Sequence, residues 1–167
     1  MEACADTIRT QMVQLLPRLR RFAVALTGSR ADGDDLVQDT VERALKNLHR
    51  WEPGTRLDSW MFRIARNRFI DTRRSAKHGA TVVMHAPDEA AAAHTDGVRA
   101  AESHLALQDV TRALLTLPQE QREALALVVI DGLSYREASD ILDIPIGTLT
   151  SRLARAREAL ADLVPEG

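Results

Sequence analysis

The sequence predicts an all-α fold of two small helical domains joined by a flexible linker. Apolar residues recur at helical spacing along most of the 167-residue chain, and no stretch alternates at strand spacing. Only 8 Gly and 6 Pro are present, too few for a many-turned β fold. Between the two helical stretches lies a segment of different composition. The expected divisions are 1–78, a linker at 79–103, and 104–167.

The elements follow in order. From Met12 to Leu26 the residues Leu15, Leu16, Leu19, Phe22, Ala23 and Leu26 form a helical stripe, which Thr27-Gly28 ends. Asp32 is the expected N-cap of a second helix, with Asp34 and Asp35 where the helix dipole favours anions. This helix runs to about Trp51 and buries Leu36, Val37, Val41, Ala44, Leu45 and Leu48. Its other face carries Asp35, Gln38, Asp39, Glu42 and Lys46. Glu52-Pro53-Gly54-Thr55 is turn chemistry, and a third helix spans about Leu57 to Lys77. Residues 79–103 hold Gly79, Pro87, Gly97, an alanine run and an excess of acids, the composition of a linker. Helical patterning resumes from about Leu105 to Leu115. Pro118 opens a helix that ends at Asp131-Gly132. Ser134 and Glu137 form a capping box that starts a short helix to about Leu142. Residues 143–147 break it, and a last helix buries Leu149, Leu153, Ala156 and Leu160.

Composition excludes several function classes. No apolar run approaches the roughly 18 residues that a bilayer crossing requires, and the N-terminus has no basic stretch before a long apolar core. A cytoplasmic protein is expected. One cysteine, Cys4, allows no internal disulfide, and the five histidines (His49, His78, His85, His94, His104) lack zinc spacing. No metal, cofactor or catalytic constellation is expected, so the protein reads as a non-enzyme. The net charge of −2 argues against a nucleic-acid partner only until it is mapped. Residues 13–78 carry 14 Lys/Arg against 8 Asp/Glu, a net of +6, whereas 79–111 come to −4 and 112–167 to −3. Separate modules with separate partners account for that asymmetry.

The last two helices and their short break match the helix-turn-helix plan, with small Ala138 at the helix crossing and Ile144 plugging the turn. Opposite the buried stripe of the last helix lie Gly147, Ser151, Ala154, Arg155 and Glu158, flanked by Thr148 and Thr150. Such side chains can bond base edges or touch a thymine methyl in a major groove, while Arg136 and Arg152 suit phosphates. An ordinary helical hairpin with solvated arginines fits the same pattern. On the third helix, Arg63, Arg66, Ile70, Arg73, Arg74 and Lys77 share one side with Asn67 at its border, a density of cations suited to a phosphate backbone. Trp60, Phe62 and Phe69 suit unstacked bases if exposed, although core burial is the expectation for Trp60 and Phe69. Arg68 falls on the apolar side and calls for a carboxylate partner. The acidic face of the second helix is either a solvated surface or a dock for a basic partner.

Together these residues resemble bacterial RNA polymerase sigma factors. Asp34-Asp35-Leu36-Val37-Gln38-Asp39, the stretch Trp60 to Asn67, and Asp71-x-x-Arg74 are similar to region 2. Leu117-Pro118-x-x-x-Arg122, Gly132 to Ala138, and the stretch Ile146 to Arg157 are similar to region 4. Having these two regions alone resembles the extracytoplasmic-function (ECF) class. The resemblance implies that Asp35, Gln38, Asp39 and Glu42 dock on the largest-subunit clamp of core polymerase. It implies that Arg56, Arg63, Arg66, Asn67, Ile70 and Arg74 hold the melted non-template strand of the minus-10 element. Capture of flipped bases there offsets the few kcal/mol of unstacking, so no ATP is needed. It further implies that Arg136, Thr148, Thr150, Ser151, Arg152, Ala154 and Arg155 read the minus-35 element. Thr150 and Ala154 stand where many relatives carry a larger or basic side chain, which leaves the element's sequence open. A cognate anti-sigma protein is also implied.

A flexible 25-residue coil spans about 25 to 30 Å, whereas two promoter elements one and a half to two duplex turns apart are separated by roughly 50 to 70 Å. Core polymerase is therefore expected to hold the modules apart, and the free factor to bind promoter DNA poorly. The alternatives are a conventional dimeric helix-turn-helix regulator, which would need no basic stripe on the third helix, and a sigma mimic that titrates an anti-sigma protein.

Overall fold

The computed structural model describes residues 2–79 and 108–163. The described residues are helical throughout, apart from short turns. Helix α1 (Glu2–Thr27) begins ten residues before the expected Met12, because Ile8 and Met12 extend the apolar stripe toward the N-terminus. Pro17 lies inside it on the solvent side, where the carbonyl of exposed Val13 can turn to water instead of an amide. Helix α2 (Arg30–Lys46) is capped by Ser29, whose buried hydroxyl accepts from the Asp32 amide at 3.3 Å, so the cap is not Asp32 as expected. The tight α1–α2 turn through Gly28 (φ +78°) moves the start of α2 upstream. Helix α2 also ends early, at Lys46, and a 3-10 turn at Leu48–Arg50 follows. Leu45 is consequently exposed, and Thr40 takes a buried place, its hydroxyl donating to the Leu36 carbonyl at 2.7 Å.

The turn at 52–55 closes through Thr55, whose amide and hydroxyl both donate to the Glu52 carbonyl. Helix α3 (Leu57–Lys77) has the expected bounds. Leu57, Met61, Ala65 and Phe69 are buried on one side, joined by Phe62, whose ring stands edge-on to Phe22 at 5.2 Å. Phe62 and Phe69 are therefore core residues, and Trp60 is half-buried against the same core.

In the C-terminal module the described part of α4 covers 108–116; the expected linker beyond Gly79 and the expected helical patterning from about Leu105 fall outside the described residues. Helix α5 (Gln119–Leu125) starts one residue past Pro118, which is its N-cap, and continues into a π-helical turn at Ala126–Ile130. Gly132 (φ +68°) reverses the chain. Helix α6 (Tyr135–Leu142) carries both halves of the expected capping box, and α7 (Ile146–Ala161) follows a left-handed Asp143. Leu149, Leu153, Ala156 and Ala138 are fully buried and Ile144 half-buried, as the helix-turn-helix reading requires.

The modules also pack against each other. Buried side chains of both form one continuous apolar cluster. At one point of approach, Leu115 of α4 lies so near Gly28 that a Cβ there would fall 2.5 Å from its side chain.

Candidate nucleic-acid interface

On α2, Asp35, Gln38 and Glu42 are exposed, and the Gln38 amide donates to Glu42 at 3.4 Å. Asp39 accepts from Arg68 Nε at 2.7 Å, which is the carboxylate partner expected for Arg68. The acidic face is thus three exposed polar side chains, two of them bonded to each other, and one committed to holding α2 on α3.

The basic face of α3 is largely engaged by the other module. Arg66 Nε donates to Glu123 Oε2 at 2.9 Å, and Glu123, wholly buried on α5, also accepts from Gln119. Arg63 donates to the Asp140 carbonyl of α6 at 2.8 Å. Arg73 donates to Gln119 at 3.3 Å and stacks over Phe69. Arg56 pairs with Glu137 of α6 and with Asp58. Burial pushes the Asp58 carboxyl up, but hydrogen bonds from Arg56, the Ser59 amide and Arg18 outweigh it and leave the carboxyl below its usual range. The Arg56 guanidinium is held above its ordinary value chiefly by its bond to Asp58. Asn67 and Arg74 are exposed and Ile70 is half-buried.

The helix-turn-helix is open by contrast. Arg136, Thr148, Thr150, Ser151, Ala154 and Arg155 are all exposed. The Thr150 hydroxyl donates back to the Ile146 carbonyl at 2.9 Å, which leaves its oxygen free to accept. Arg152 is half-buried and paired with Glu120 at 3.3 Å. Sequence reasoning missed Glu123, Glu137 and Asp140 as partners of the α3 cations. The available signal was Glu123 itself, a carboxylate opening the apolar run 124–130 and so in need of a buried cation.

A helix-turn-helix beside a second, separate basic helix, with no metal-binding cluster among the described residues, defines a two-module α-helical DNA-binding protein. Residues 12–66 match the family model described as the Sigma2 domain of PhyR, and residues 107–160 that of Sigma-70, region 4. The chain is 37% identical to the ECF RNA polymerase sigma factor EcfG of Rhodopseudomonas palustris, covering 95% of this chain and 86% of that protein. It is 31% identical to SigM of Bacillus subtilis over 88% of each. Among solved structures it superposes on the sigma factor RpoE from Bartonella quintana, crystallised with the anti-sigma factor NepR, with a TM-score of 0.73, 34% identity, and coverage of 93% and 94%. The fold also matches CnrH, solved with the cytosolic domain of CnrY, at a TM-score of 0.72 and 24% identity over 95% and 88% of the two chains. The chain belongs to the ECF family of RNA polymerase sigma factors. It is a transcription initiation factor and not an enzyme. No described helix is long and apolar enough to cross a membrane.

Proposed function

We propose that the chain directs core RNA polymerase to promoters in the cytoplasm, with 1–78 and 104–167 as its two working modules and 79–103 as their tether. The exposed Asp35, Gln38 and Glu42, with Asp39 at their edge, dock α2 on the clamp of the largest subunit. Arg56, Arg63, Arg66, Asn67, Ile70 and Arg74 take the melted non-template minus-10 strand, and the exposed face of α7 reads the minus-35 duplex, with Arg136 and Arg152 on phosphates. In this reading Arg152 exchanges Glu120 for a phosphate when it binds.

The observation that carries the reading is the difference between the two DNA faces. The α7 face stands open, while Arg56, Arg63 and Arg66 are held by Glu137, Asp140 and Glu123. A factor that must wait for polymerase before it captures a strand needs that arrangement. Separation of the modules on core polymerase frees the three arginines, and unassisted promoter binding is weak until then. The likeness to a sigma factor solved with NepR supports control by an anti-sigma protein that covers the polymerase-binding faces. The test is in vitro transcription with core polymerase, with and without this protein, on a promoter library. Initiation that depends on the protein is expected, and Arg63→Ala with Arg66→Ala should impair opening while core binding persists. Failure to initiate from any promoter overturns the reading.

A further inference from the structure

A cavity of about 610 Å³ lies between the modules, within the range of small-ligand sites. Its wall carries Arg73, Arg74 and Lys77 from α3 and Arg122 from α5, and no carboxylate lines it. Arg122 is 5% exposed, and its Nε has no hydrogen-bond partner. Burial, and after it the charge of Arg73, hold the Arg122 guanidinium below its ordinary value, with Glu123 opposing. Arg74 and Lys77 have no side-chain ion-pair partner among the described residues.

Four cations line one cavity, and Glu123, which acts on Arg122 from outside that lining, leaves an excess of positive charge that an entering anion would relieve. A phosphate group, with close to two negative charges and several acceptor oxygens, answers that charge, and arginine forks suit its geometry. The floor is apolar, made by Leu26, Ile70, Leu115 and Leu117, and the volume far exceeds one oxyanion. An organic body attached to the phosphate would fill it.

We propose that this cavity binds a small phosphorylated organic molecule, and that the bound ligand clamps the two modules together by joining α3 to Arg122. The site exists only while the modules are packed, so ligand and promoter strand exclude each other. The proposal rests on the packed arrangement and not on polymerase docking. It is tested on the free protein, so its failure leaves the transcription assay untouched.

The experiment is calorimetric titration of the full chain at fixed ionic strength with AMP, inorganic phosphate and adenosine. AMP is expected to bind at one site, phosphate to bind there more weakly, and adenosine not to bind. Lys77→Gln, an exposed change that leaves the core intact, should weaken AMP by about tenfold, and Arg122→Gln should abolish binding. Saturating AMP should slow capture of a single-stranded minus-10 oligonucleotide. No binding by AMP or phosphate at millimolar concentration overturns the proposal, as does AMP affinity unchanged by Lys77→Gln. An oligonucleotide that binds the free protein more tightly than AMP, with the same loss in both variants, would make the cavity the end of the strand groove and also overturn it.

Discussion

Helices α3 and α7 carry the two DNA faces proposed for this chain, and they meet solvent differently. On α7 the minus-35 candidates Thr148, Thr150, Ser151, Ala154 and Arg155 are exposed and only Arg152 is paired, with Glu120, while three arginines on or just before α3 are held by α5 and α6. The holding groups differ in kind. Asp140 offers a backbone carbonyl, Glu137 is a half-buried side chain already engaged in capping α6, and Glu123 is a wholly buried carboxylate. Duplex recognition needs only a preformed helix presented to a groove. Strand capture needs cations that are available after melting and masked before it. Under the proposed function, this packing leaves one face ready for DNA and makes the other conditional on separation of the modules.

The largest effect is expected at the Arg66–Glu123 pair. Arg66→Ala would strand a carboxylate with essentially no solvent exposure, a change that costs about 3 to 5 kcal/mol for buried pairs. Opening of the modules relieves that cost, so X-ray scattering should report a larger radius of gyration. Glu123→Gln removes the charge but keeps an acceptor for Gln119, and it releases Arg66. It should raise the free protein's affinity for a single-stranded minus-10 oligonucleotide about tenfold, roughly 1.4 kcal/mol. Its affinity for a minus-35 duplex should not change. Equal gains on both ligands would erase the distinction between the two faces.

Much of this was legible in the sequence, for physical reasons that mark where legibility ends. The helix-turn-helix could be read because its features are local: Ser134 and Glu137 are three residues apart, and the Leu149–Leu153–Ala156 stripe needs only helical spacing. The Arg68 partner was inferred as a type, because a cation on an apolar face requires an acid, but periodicity could not select Asp39. The α2 cap was misplaced because Asp32 and Ser29 are both good caps, and only the chain reversal at Gly28 decides between them. The covering of α3 was not legible. Arg63 finds its partner 77 positions away and Arg66 finds its own 57 away, on helices whose placement depends on packing between modules. A basic stripe looks the same in sequence whether solvent, DNA or the chain's own acids complete it.

A second break point is Asp131, which lies at the end of the π-helical turn against α1. Its side chain is fully buried, Arg21 approaches to 3.5 Å, and neither carboxyl oxygen has a hydrogen bond. Burial pushes this carboxyl up to about 6, with the charges of Arg21 and then Arg18 opposing. A group that holds its proton more tightly when packed stabilises the packed form fully below its ordinary value of 3.8 and loses that contribution as pH rises through about 6. The modules should therefore loosen as pH rises from about 4 to about 6. Asp131→Asn, neutral at every pH, should flatten that dependence and favour packing at pH 7 by about 1 to 2 kcal/mol, a range reduced for the solvent around half-exposed Arg21. Scattering or spin-label distances against pH measure it. Loosening toward acid instead would mean that the Arg21 ion pair outweighs burial.

The smallest effect sharpens the comparison most directly, because α6 serves both faces. Its Ser134 hydroxyl accepts from the Glu137 amide at 3.2 Å, and the Glu137 carboxylate accepts from the Ser134 amide at 2.8 Å while its other oxygen pairs with Arg56. Ser134→Ala removes one arm of this box at a cost of about 1 kcal/mol and should lower the melting temperature by a few degrees. The surviving arm still draws Glu137 toward the helix start, so Arg56 keeps its partner, and α7 remains seated on Leu149 and Leu153. Duplex affinity and radius of gyration should both stay at their parental values. A larger radius at unchanged duplex affinity would show that the cap positions Glu137 for Arg56, and thus that the conditional face depends on a local helix signal the open face does not need.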